Sequence, residues 1–143
     1  MFGNDRDQLR LQYFRAWQQH LNSEPLDPLQ RQIVAVLLDH PEYQDMFQNE
    51  HSLGTEFSPE LGQSNPFMHM GFHLAIRDQI QTDRPQGIRS AYEAILPQVG
   101  GDAHEAEHRM LDCLAESLWQ AQSTQQAPDE LAYLQCVKTL TTR

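Results

Sequence analysis

An all-α fold, a single-domain bundle of five to six helices, is what this chain predicts, and three observations predict it. Apolar residues recur at helical spacing through most of the sequence, and no stretch shows the two-residue alternation of a half-buried strand. Asp27, Asn65, Asp102 and Asp129 stand where periodic runs begin, as residues that cap helix N-termini do. With 143 residues the chain can bury a real core, since one of about 150 residues hides roughly 68–70% of its unfolded surface. Residues 1–143 are therefore expected to form one domain with the third and fifth helices at its centre.

The elements follow in order. Asp5 can cap a first helix to about Leu21, with Leu9, Tyr13, Phe14, Trp17 and Leu21 on the face that belongs in the core. Asp27 with Pro28 starts a second, carrying Ile33, Val34, Val36 and Leu37, and Pro41 disfavours its continuation after His40. A helical turn is expected at Glu42 to Phe47. Residues 49–65 lack a sustained period, are rich in turn formers and read as a long surface loop.

Asn65 and Pro66 open the third helix, to about Thr82, which is apolar nearly all round, as central helices are. Its Gly71 suggests a close helix crossing, because glycine there costs about 1 kcal/mol relative to alanine. Pro85 and Gly87 mark a turn before a fourth helix, which ends at Gly100 and Gly101. Asp102 caps a long fifth helix to about Gln122, and Pro128 with Asp129 introduces a sixth. Trp17 and Trp119 both fall on predicted core faces.

Charge excludes some functions. Twenty acidic residues against ten basic ones give a formal charge of −10, unsuited to nucleic acid, where affinity rests on cations neutralising phosphates, and repelled by anionic membranes. The N-terminal stretch MFGNDRDQLRLQYFRAW is charged where a secretion signal is apolar, and no run is long enough to span a bilayer. Cys113 and Cys136 lack metal-binding spacing. Free thiols in a cytoplasmic protein are the expectation.

The chemistry points to histidine. His69/His73 and His104/His108 are two pairs spaced four apart on predicted helices, a spacing that puts both rings on one face. Seven histidines in this length would give about a third of one such pair by chance. Glu107 lies on the apolar stripe of the fifth helix, where a carboxylate needs a cation, a metal or donors, which links it to the histidines or to Arg77. His69, His73, His104, His108 and Glu107 thus form a candidate transition-metal site, for Zn or Fe first and Ni or Cu next. If a water completed it, Glu107 would be the proton acceptor.

Other readings stand beside this one. A buried network of the histidines with Glu107 and Arg77 would fix helix register without metal, in a helical module whose acidic surface binds a protein partner. His104-x-x-Glu107-His108 matches a zinc-peptidase pattern, which also needs a downstream carboxylate and a larger fold. Glu105-x-x-His108 supplies one of the two ExxH elements of a di-iron bundle. His40 ends its helix, where an imidazolium favours the dipole, with service as an extra ligand the lesser option. Arg84, Gly87 and Arg89 surround a helix start that can attract an anion or hold ordinary salt bridges.

SNPFMHMGFHLAIRDQIQTDRPQGI and DAHEAEHRMLDCLAESLWQAQ resemble the two signature blocks of the domain-of-unknown-function family numbered 1841, and FGNDRDQLR and LDPLQRQIVAVLLDHPEY fit it too. The resemblance implies a small bacterial, cytoplasmic protein and brings no reaction. Its blocks contain Asn65, Pro66, His69, His73, Arg77, Asp83, Arg84, Pro85, Gly87, His104, Glu107, His108, Glu116 and Trp119.

Overall fold

A computed structural model describes residues 3–48 and 65–141, with side chains from residue 8 onward. The architecture is all-α: seven helices, α1 Gly3–Leu21, α2 Pro28–Leu38, α3 Pro41–Gln44, α4 Pro66–Thr82, α5 Ile88–Ile95, α6 Ala103–Thr124 and α7 Glu130–Leu140, lie among the described residues. Short 3-10 turns at Met46–Gln48 and Leu96–Val99 follow α3 and α5. The count exceeds the expected five or six because Pro41 starts a separate helix of one turn. The expected loop at 49–65 lies, except for Asn65, outside the described residues.

Local signals placed most of the starts. At α2 the Asp27 side chain accepts from Gln30 N–H at 2.7 Å, and Gln30 Oε1 accepts from Asp27 N–H at 2.9 Å, a reciprocal capping box. Asn65 Oδ1 accepts from Phe67 and Met68 N–H, Asp102 from His104 and Glu105, and Asp129 from Ala132. At α1 the helix already begins at Gly3, two residues ahead of the expected cap. Asp27→Ala removes one partner of the box and is expected to cost about 1 kcal/mol, read as a lower midpoint in urea unfolding.

The chain divides into two compact units, residues 1–74 and 75–143, with α4 giving its first nine residues to one and the rest to the other. The first unit packs α1 on α2 around Tyr13, Phe14, Trp17, Ile33, Val36, Leu37 and Phe47, joined by Phe67 and Met70 of α4. Phe14 and Phe47 pack with their rings tilted by 47° and centroids 5.1 Å apart. Leu9 and Leu21, expected on this face, are about half exposed: the buried ridge of α1 runs through Arg10, Tyr13, Phe14 and Trp17, and the two leucines sit at its margins. Among the described residues Gly71 serves no close crossing, since an added Cβ would meet only the Tyr13 hydroxyl there, at 3.8 Å.

In the second unit α5, α6 and α7 enclose Ile76, Ile88, Ile95, Met110 and Val137, all fully buried. Trp119 departs from expectation, with 63% of its surface exposed. The ridge of α6 that faces α7 runs through Cys113, Ser117 and Ala121, and helical geometry turns Trp119 away from it. A second correction concerns the cysteines. They are not free thiols: Cys113 of α6 and Cys136 of α7 are joined in a disulfide with Cα atoms 5.8 Å apart. Spacing along the sequence does not reveal that two separate helices lie side by side, and the bond removes the thiol argument for a reducing compartment. Arg89 anchors the end of α4 by donating to the Ile80 and Gln81 carbonyls, as a C-terminal cap does.

Candidate metal centre

Three imidazoles meet in the first unit. His69 and His73 project one turn apart from α4, and His40 stands at the junction where α2 ends and Pro41 starts α3. His69 Nε2 lies 3.1 Å from His40 Nε2 and 3.1 Å from His73 Nε2. His40 and His73 are fully buried and His69 is half-buried.

The His40 ring is fixed in orientation and tautomer. Its Nδ1 sits 2.7 Å from the Val36 carbonyl oxygen, which has no proton to give, so Nδ1 carries the hydrogen and donates. A neutral His40 therefore turns the lone pair of Nε2 toward His69. Tyr43 holds the ring from one side, parallel to within 1° at a centroid separation of 5.2 Å. Burial, reinforced by the adjacent Glu42 carboxylate, raises the Tyr43 phenol above its ordinary value, so it remains protonated at neutral pH.

The spacing suits an ion. Two imidazole nitrogens at about 2.0–2.1 Å from a tetrahedral zinc stand roughly 3.3–3.4 Å from each other. The separations of His69 Nε2 from its two neighbours are within a few tenths of an ångström of this, and the ligand nitrogens of His40, His69 and His73 all lie within 4.8 Å of one another. Ligating histidines characteristically donate their other ring nitrogen to a carbonyl or carboxylate, as His40 does to Val36. Sequence reasoning weighed His40 mainly as a dipole partner at a helix end. The available signal was its place on the apolar stripe with Ile33, Val36 and Leu37.

The remaining predicted residues belong to the second unit. His104 and His108 pair on α6 with ring centroids 4.2 Å apart, both half-buried. Glu107, 4% exposed, takes the Arg77 guanidinium: Nε lies 3.0 Å from Oε1 and 3.1 Å from Oε2. This is the Arg77 partnership that the inward position of Glu107 allowed. Tyr92 stands in the field of the pair; burial raises its phenol, the Glu107 charge adds to this and Arg77 opposes it.

The family model described as a domain of unknown function, DUF1841, matches residues 5–139, nearly the whole chain. The chain belongs to DUF1841. No curated protein and no solved structure matches it. His40, His69, His73, Arg77, His104, Glu107 and His108 of this DUF1841 protein all lie within the matched span. Among the described residues no helix is long and apolar enough to cross a membrane.

Proposed function

We propose that this DUF1841 protein binds a transition-metal ion through His40, His69 and His73. The observation that carries the reading is the approach of their Nε2 atoms around His69 while the far nitrogen of His40 is spent on the Val36 carbonyl. Imidazole donors suit Zn, Cu, Ni and Fe, and the cysteines, held in a disulfide, offer no thiolate. Zinc is the first candidate. The sequence expectation that His108 and His104 join the same centre stays within the proposal. We leave Glu107 out of the ligand set, because its pairing with Arg77 already answers its buried charge.

An ion held by neutral imidazoles keeps its full charge and acts as a Lewis acid on whatever completes its shell. Storage, sensing and metal-assisted chemistry are all compatible with that property. Protein purified without an affinity tag should contain about one ion per chain, measured by elemental mass spectrometry. Chelated protein should regain thermal stability on metal addition, by about 2.7 kcal/mol when free ion stands at a hundred times its dissociation constant. Protein that takes up none of Zn, Cu, Ni or Fe, and melts identically with and without each, would overturn the reading.

A second reading has its own support. The same 3.1 Å contacts are hydrogen-bond distances, and one hydrogen on His69 Nε2 shared between the lone pairs of His40 Nε2 and His73 Nε2 would join the three rings without metal in a helical module that binds a basic protein partner. A stoichiometric partner lost on charge reversal at the exposed Glu105, Asp112 and Glu116, but retained in His→Ala variants, would favour it.

A further inference from the structure

A groove of about 310 Å³ runs between α6 and α7, roomy enough for a small molecule, and the Cys113–Cys136 disulfide forms part of its wall. The two sulfur-bearing residues differ in access: Cys113 is 3% exposed, whereas Cys136 is half-buried. Glu116 and Asp129 line the same groove. Glu116 accepts from the neutral Gln120 amide and Asp129 from Ala132 N–H, and among the described residues neither forms an ion pair. A thiol entering the groove therefore reaches Cys136 first and meets two negative charges on the way.

We propose that Cys136 is a site of thiol–disulfide exchange, selective for cationic or neutral small thiols over anionic ones. An incoming thiolate attacks Cys136 Sγ, forming a mixed disulfide there. The Cys113–Cys136 bond breaks, and Cys113 leaves as a thiolate that takes a proton from water. A second thiolate then attacks the sulfur of the bound thiol. The external thiol departs as its own disulfide, and Cys136 becomes a thiolate. Two equivalents of external thiol are oxidised and one protein disulfide is reduced. Access decides which sulfur is attacked, and the two carboxylates decide which thiols approach. This inference stands apart from metal binding and uses none of the histidines.

The test treats the folded full chain, without denaturant, with cysteamine or glutathione at equal thiolate concentration and low ionic strength. Acid quenching, alkylation and peptide mass spectrometry then locate the adduct. The expected adduct is on Cys136, and cysteamine should react roughly 5–10-fold faster, a ratio set by screened attraction and repulsion over several ångströms. In E116Q/D129N the ratio should fall toward one, with the α7 cap retained because an Asn side-chain oxygen caps as well as Asp. Adducts mainly on Cys113, exchange only in denaturant, or equal rates for the two thiols in the unaltered protein would overturn it.

Discussion

Replacing His73 by Ala is expected to leave the protein unable to retain metal through dialysis. His73 is fully buried and supplies one of the three clustered nitrogens, 3.1 Å from His69 Nε2. Loss of a partner that merely orients a ligand weakens metal binding about 10–100-fold, so removal of a ligand itself should exceed that. Because a buried imidazole also packs, the parallel variant His69→Ala removes a half-buried ring at smaller cost to the core. Calorimetric titration with zinc should show the high-affinity binding lost in both, while the circular dichroism of each stays helical. Retention of undiminished affinity by both variants would exclude the cluster as the ligand set. His108→Ala, titrated alongside, asks separately whether the second pair contributes.

The second large effect is on stability. Arg77→Met leaves the Glu107 carboxylate, 4% exposed, without the guanidinium that both of its oxygens contact. Breaking a buried pair by removing one partner costs about 3–5 kcal/mol, because the charge left behind keeps its desolvation penalty and loses the compensation that partner gave; the Arg77 side chain is 21% exposed, which puts the expected loss toward the low end of this range. For a chain of this size that is a fall in melting temperature of roughly 10 °C or more. Glu107→Gln should cost less, since the amide carries no charge and its oxygen still accepts from Arg77. It should also leave metal content unchanged, because the proposed ligands are imidazoles. Arg77→Met combined with Glu107→Leu should recover most of the loss, the apolar pair bearing no desolvation cost. If Arg77→Met melts within a degree or two of the unaltered protein, the pair is not a structural anchor.

These expectations rest on features of unequal legibility. The starts at Asp27, Asn65, Asp102 and Asp129 were readable because capping is local: a side-chain oxygen reaches backbone N–H groups two or three residues ahead. The pairing of His69 with His73 followed from helical spacing, and so did the inward face of Glu107. Trp119 failed the same logic. A helical stripe extends as far as the periodicity does, but burial stops where the neighbouring helix follows another ridge.

By itself, then, the sequence determined the helical class, most helix boundaries, family membership and a pair of imidazoles on one face of α4. All of these depend on residues a few positions apart or on the pattern of the chain as a whole. Only the tertiary structure decided that His40 joins His69, that Arg77 holds Glu107 and that Cys113 meets Cys136. Those partners are 29, 30 and 23 residues apart. Their meeting depends on how helices pack and where the chain turns, as at Pro41, and no local periodicity encodes the distance between two side chains on different helices.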